Sequence, residues 1–247
     1  ITDQLAKSKS QTIRVRVWDP SDAGPQPRGK QVKAPRGIWY TPVTGIWQTV
    51  WLESVPVDHI VSSYSSTDWQ NGVQVFYPEV ATSKEGLEVE VAIKSGETIV
   101  GTFKGKANQP IPVKITDPKA WSPDSPFLYD VSIQLFEGKK LIESVQSYAA
   151  YRDIQMAKSS DGHQRMFLNG KPLFHYGPLD QGWWPDGLYT APTDEALRFD
   201  IEKTKEMGFN MIRKHVKVEP ARWYYHADRL GLLVWQDMPS GDMGNRW

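Results

Sequence analysis

Residues 173–235 carry the pattern that most limits what this chain can fold into. Three short apolar runs, 173–178, 209–213 and 232–235, alternate with two amphipathic stretches. In the first stretch Leu197, Ile201, Thr204 and Met207 recur at helical spacing, while Arg198, Asp200, Glu202, Lys203 and Lys205 fall elsewhere. Thr193 suits the N-cap, Asp194 and Glu195 the electropositive first turn, and Gly208 the left-handed residue that ends a helix. In the second stretch Pro220 suits the first helical position, Trp223, Ala227 and Leu230 form the buried stripe, and Gly231 ends it. Strands alternating with helices of this length imply parallel strands joined by crossovers. Such a sheet gathers its strand C-terminal ends on one edge. His175 and Asp180 fall there, with Arg213, Lys214 and His215, then Gln236 and Asp237. In a β/α barrel that edge carries the active site.

Upstream the period is two. Candidate strands lie at 59–65, 72–79, 87–94, 97–104, 111–115, 128–137 and 141–147. The run 87–94 alternates cleanly, with Leu87, Val89, Val91 and Ile93 inward and Glu88 and Glu90 outward. Seven short strands within roughly 100 residues is the pattern of an immunoglobulin-like sandwich, although the antibody cysteine pair is absent. Beyond Arg152 the period changes toward 3.6. In the first 56 residues, 11–18 and 46–52 read as two strands separated by a loop rich in Pro, Gly and Asp. Ile13, Val15 and Val17 form the inward face of the first, and Trp47, Thr49 and Trp51 share a face of the second. Two strands cannot bury a core alone. Residues 1–56 are therefore expected to be the tail of a β domain whose earlier strands precede Ile1.

Charge and composition narrow the partners. Lys plus Arg and Asp plus Glu both number 29, so the chain lacks the basic excess that a nucleic-acid or anionic-membrane footprint needs. No apolar run is long enough for a transmembrane helix. Cysteine is absent, which excludes disulfides, thiolate catalysis and Cys-ligated zinc but leaves the compartment open, a periplasmic or extracellular one included. No Gly-x-Gly-x-x-Gly follows a strand, which argues against a flavodoxin-like nucleotide domain. The expectation is no cofactor and no metal. The 11 Trp and 10 Tyr are conspicuous, because aromatic faces stack on the apolar faces of sugars as readily as they fill cores.

Several stretches resemble glycoside hydrolase family 2. PRGKQ (27–31) and TGIWQTVWLE (44–53) are similar to the end of that family's jelly-roll sugar-binding domain. WSPDSPFLY (121–129) resembles a signature of its immunoglobulin-like domain, and LNGKP (168–172) the opening of its catalytic barrel. GFNMIRKH (208–215) resembles the second barrel strand, in the pattern Gly-x-Asn-x-x-Arg-x-His, and 224–237, ending VWQD, the segment through the third. Two stretches depart: AAYR (149–152) replaces the usual Phe-Gly-x-Arg, and KHVK (214–217) replaces the Ser-His-Tyr-Pro of β-galactosidases. The resemblance implies a multidomain β plus α/β fold, truncated at both ends. Residues 1–56 would be a jelly-roll remnant, 57–156 an immunoglobulin-like β-sandwich and 157–247 the start of a (β/α)8 barrel. It implies hydrolysis of β-linked sugars with retention by two Glu on later strands. A full barrel needs about 250 residues, so that pair is expected beyond Trp247 and the chain itself is expected to be inactive. A non-catalytic carbohydrate-binding or scaffold module is the alternative; it leaves the β/α units without cover for their apolar faces. The expected partner is a carbohydrate, with a homo-oligomer favoured by any open barrel edge.

The substrate-binding candidates are Asp180, Trp183, Trp184, Arg213, His215, Gln236 and Asp237. Arg213 and His215 would orient sugar and carboxylates, or Arg213 would pair structurally with Asp180 or Asp237. Trp183 and Trp184, in a polar loop, would supply a sugar platform or pocket wall. His175 reads as a hydrogen-bonded barrel histidine, and Lys214, Lys217 and Glu219 as a solvated loop. Trp39, Trp47 and Trp51 read as domain packing, with carbohydrate binding in the jelly roll as the alternative.

Overall fold

A computed structural model describes residues 2–5, 7 and 10–241. Strands β1 (His59–Asp68), β2 (Val73–Ala81), β3 (Leu87–Ser95), β4 (Thr98–Lys106), β5 (Ile111–Lys114), β6 (Tyr129–Glu137) and β7 (Lys140–Ala149) match the seven expected from the alternation. They form two antiparallel sheets, ordered β1-β2-β5 and β4-β3-β6-β7. The inward residues of both sheets, among them Phe76, Val89, Val91, Ile111, Val113, Val131 and Ile133, make one core. This is a β-sandwich, and most of the fold is β-sheet.

A meander follows: β8 (Ile154–Lys158), β9 (Gln164–Leu168) and β10 (Lys171–Pro172). Its second turn is Asn169-Gly170, both at positive φ (53° and 73°), which gives the tight hairpin twist that Asn-Gly favours.

The last unit is a parallel three-stranded sheet, β11 (Leu179–Asp180), β12 (Met211–Lys214) and β13 (Leu233–Gln236), joined by α1 (Asp194–Glu206) and α2 (Ala221–Leu230). Thr193 Oγ1 caps α1 by accepting from Ala196 N at 3.1 Å, and Gly208 and Gly231 follow the helices at φ 85° and 80°. Three expectations shift. The first strand pairs at 179–180 and not over 173–178, because Pro178 has no N–H for the ladder and the Asn210 carboxamide occupies the preceding groups, accepting from Tyr176 N and donating to Phe174 O. Pro220 is the N-cap of α2, one residue before the helix. Met207 is 72% exposed, as the C-cap of α1, where the helical stripe has ended.

The sheet uses both faces. Ile212 and Val234 pack under the helices with Ile201, Trp223, Ala227 and Leu232. Met211 and Leu233 face the other way and pack with Leu168 and the fully buried Trp121. Trp121 Nε1 donates to Asp228 O at 2.7 Å, and Arg152 pairs with the Asp228 carboxylate at 2.7 Å. The WSPDSP segment thus ties the sandwich to α2.

The two strands expected within 1–56 do not form. Among the described residues of that segment the only β contact is an isolated bridge between Gln31 and Tyr40. Ile13 and Val15 are more than 60% exposed. An apolar strand face is buried only against paired neighbours, and no described segment pairs with 11–18 or 46–52. Part of this arm lies on the parallel unit instead: Arg28 N and Gly29 N donate to Ser240 O, and Thr190 Oγ1 donates to Trp47 O.

Candidate sugar site at the strand ends

Register decides which candidates meet. In a parallel sheet, paired residues point to the same face. Leu179, Arg213 and Trp235 are in register, as are Asp180, Lys214 and Gln236. The first set lies on the open face, the second on the helix face. The seven candidates therefore divide.

On the open face Arg213 forms a forked pair with Asp237. Its Nε lies 3.2 and 3.0 Å from the two carboxylate oxygens, and a terminal nitrogen lies 2.9 Å from Oδ2. Of the two partners expected for Arg213, Asp237 is the one used. His215 Nε2 stands 3.8 Å from the same carboxylate, and its Nδ1 is buried without a partner. Burial holds the His215 pKa below the ordinary histidine value, with the Lys30 charge adding to this. His175 accepts from Trp235 Nε1 at 3.1 Å through Nδ1, but its Nε2 is buried and unpartnered, so the fully hydrogen-bonded histidine expected here is only half realised. Burial lowers its pKa as well.

The helix face holds a buried ionic cluster, which overturns the reading of Lys214, Lys217 and Glu219 as a solvated loop. Lys214 and Lys217 are each 1% exposed and Glu219 is 5% exposed. Lys214 Nζ donates to Asp180 at 2.5 Å and to Glu219 at 3.0 Å, over the Trp223 ring. Lys217 Nζ donates to Gly182 O at 2.6 Å and Tyr189 O at 2.8 Å and pairs with Glu219 at 3.0 Å. Two cations and two carboxylates balance, and each ammonium has several oxygen partners, as buried charges require. Burial pulls the Lys217 pKa down against its carboxylate neighbours. It pushes the Tyr189 phenol up to about 12, with the Glu219 charge adding to this. Gln236 joins the cluster by donating to Lys217 O at 2.8 Å and accepting from Tyr224 Oη.

This cluster pins the tryptophan loop. Trp183 packs at a tilt against Tyr40 at 4.9 Å and Tyr189 at 5.4 Å, and Tyr189 meets Trp47 edge-on at 4.5 Å. Trp183 and Tyr40 wall a recess of about 670 Å³ that Asp180 and Asp200 also line. Trp184 makes a two-bond bridge with Leu188, and its indole N–H is buried without a partner. Trp47 is a packing residue as expected; Trp51 is not, being 68% exposed with its N–H on Glu53.

Sequence reasoning missed Tyr189 and Tyr40 and misread Lys217. The available signal was charge balance: Asp180 alone could not neutralise two lysines at a strand end, and Glu219 lies two residues past Lys217.

The fold and strand ends define a class: a β-sandwich joined to a parallel β/α unit whose C-terminal edge is charged and aromatic. The chain resembles glycoside hydrolase family 2, and residues 66–152 match the family model "Glycosyl hydrolases family 2". It is 29% identical over 242 residues to a putative β-glucuronidase of Formosa agariphila, covering 93% of this chain and 21% of that one. It is 26% identical to a β-galactosidase of Thermoanaerobacter pseudethanolicus (79% and 27% covered) and 28% identical to β-mannosidase B of Aspergillus flavus (83% and 24%). A crystal structure of a β-glycosidase from Bacteroides vulgatus superposes with TM-score 0.70 at 25% identity, covering 80% of this chain and 26% of that one. The chain thus spans about a fifth to a quarter of the length of these curated relatives. Their names point to three different sugars and do not select one.

Proposed function

We propose that this chain supplies the immunoglobulin-like sandwich and the opening β/α units of a (β/α)8 barrel in a retaining β-glycosidase. The observation that carries this reading is the Arg213–Asp237 pair at the C-terminal edge of parallel strands, with His215 beside it, in a chain similar to β-glycosidases along most of its length. The boundaries proposed are 1–56, 57–156 and 157–247, with the first part of jelly-roll descent.

In this reading Arg213, His215 and Asp237 form one wall of the sugar pocket. Arg213 holds Asp237 in one orientation, leaving carboxylate lone pairs to accept sugar hydroxyls. His215, kept neutral by burial, orients a hydroxyl without adding charge. Asp180, Gln236, Trp183 and Trp184 shape the pocket's flank through the loop that Lys217 fixes. The attacking and protonating carboxylates, which a retaining enzyme sets about 5 Å apart, come from later strands; Asp180 and Asp237 are both committed to cations.

The test uses the full-length protein containing this sequence and an aryl β-glycoside it cleaves, with the first-released anomer followed by NMR. Release of the β-anomer supports the reading. First release of the α-anomer contradicts it.

A further inference from the structure

Beyond Ile60, which packs on the core, the inward face of β1 is made of hydroxyls. Ser63, Ser65 and Thr67 pair in register with Pro78, Phe76 and Gln74, three of the four buried residues of β2. The three side chains therefore face the sandwich interior, where an edge strand ordinarily carries apolar residues. Across the seam stands β7, the edge of the other sheet. Its inward residues there are Ser147 and Ala149, in register with the buried Val131 and Tyr129. Small side chains meet small side chains, the two sheets do not close, and a groove of about 370 Å³ remains between them.

The lining specifies a chemistry. Gln74 is 2% exposed and fixed in orientation: it accepts from Thr67 Oγ1 at 3.0 Å and donates to Ser65 Oγ at 2.9 Å. Ser65 still has its hydroxyl proton to donate, and Ser63 Oγ is buried with no partner. The charged lining residues are Arg152 and Asp228, which pair with each other at 2.7 Å. A ligand ion would find no unpaired counter-charge. An apolar ligand would leave the Ser63 and Ser65 hydroxyls buried and unsatisfied. A neutral polyol meets both conditions, since every hydroxyl both donates and accepts, and Phe76 and Ala149 offer an apolar wall for a ring face. The volume lies at the lower end of the roughly 300–1,000 Å³ of small-ligand pockets.

We infer that this seam is a binding subsite for a neutral carbohydrate chain, separate from the strand-end site. Topology supplies the separation. α2 runs antiparallel to the strands it connects, so Asp228, near its C-terminal end, sits at the strand N-terminal edge, opposite Arg213 and Asp237. The inference does not depend on the catalytic reading.

The experiment is saturation-transfer NMR on the 247-residue chain, with neutral gluco-, manno-, xylo- and galacto-tetrasaccharides beside an acidic galacturonate oligomer. At least one neutral tetrasaccharide should bind in preference to the acidic one. Ser147→Leu, which fills the groove from the β7 side, should weaken binding roughly tenfold or more, since hydroxyl contacts are lost as well as space. Ser63→Ala, which removes one oxygen that has no partner in the fold, should weaken it measurably. Trp183→Ala, at the other site, should leave in place the binding that the groove variants remove. Absence of binding across the neutral panel, equal binding of the acidic oligomer, or binding untouched by both groove variants overturns the inference. Binding abolished by Trp183→Ala alone also overturns it, and leaves the strand-end reading standing.

Discussion

Lys217 Nζ and Glu219 Oε1 lie 3.0 Å apart with both side chains almost wholly out of water. The same ammonium holds the carbonyls of Gly182 and Tyr189, so a single buried cation ties the end of β12 to the tryptophan loop. Lys217→Met would leave two carbonyls and part of a carboxylate without partners. Breaking a buried pair from one side costs about 3–5 kcal/mol. Urea denaturation of the chain should show a loss in that range, with the Trp183 and Trp184 loop becoming the first site of proteolysis. A loss below about 1 kcal/mol would mean the cluster does not hold the loop.

Asp228 is the second joint. Its carboxylate accepts from Tyr148 Oη at 3.0 Å and pairs with Arg152, while its carbonyl accepts from the Trp121 indole N–H. Asp228→Ala should destabilise by about 1–3 kcal/mol, because Tyr148 and Arg152 are only partly able to turn to water. It should also lower the cooperativity of unfolding, since this residue links sandwich to β/α unit. An unchanged, single denaturation transition would contradict that role.

A pH dependence follows from Asp194. Hydrogen bonds from Arg222 and then His226 hold its carboxyl at about 2, below the ordinary 3.8. A depressed carboxyl binds fewer protons folded than unfolded, so its contribution is fully present above pH 3.8 and is lost as the pH falls toward 2. Thermal melts of the chain and of Asp194→Asn should differ at pH 5 and converge as the pH drops through that window. A difference that persists at its low end would remove Asp194 from the acid response.

The 247-residue chain by itself is expected to hydrolyse nothing. Its strand-end carboxylates, Asp180 and Asp237, are paired with Lys214 and Arg213 and lie on opposite faces of the sheet. Neither is placed to attack an anomeric carbon while the other protonates the leaving oxygen. A panel of aryl β-glycosides, assayed beside Asp237→Asn, decides this. Turnover that copurifies with the chain and vanishes in Asp237→Asn would show a complete site.

What the sequence made legible was whatever rests on period and punctuation. The alternation of 87–94 and the Thr193 cap both stand where local pattern placed them, because each is decided by neighbours within a few residues. The strands of 1–56 failed for the opposite reason: Ile13, Val15 and Val17 alternate well, but alternation yields a strand only where another strand pairs with it. The site was half legible. Strand-end position offered Arg213 two partners, Asp180 and Asp237, and the register of the sheet selects Asp237. Lys214 was misread because one step along a strand reverses the face, and Lys217 because two of its three partners, the Gly182 and Tyr189 carbonyls, lie some 30 residues away and carry no side-chain signature, although Glu219 stands two residues on.

The central claim is that the open-face ends of β12 and β13 form a wall of the sugar pocket. Arg213 tests it most directly, since it is half exposed and its pair with Asp237 contributes only about 0.2–1 kcal/mol to folding. The measurement is kcat/KM of full-length Arg213→Ala on an aryl β-glycoside, alongside its thermal stability. The account predicts a fall of roughly 100-fold, the cost of misplacing a positioning group by about 1 Å, with Tm almost unchanged. Unchanged kinetics, or loss of activity only in proportion to lost folded protein, would contradict it.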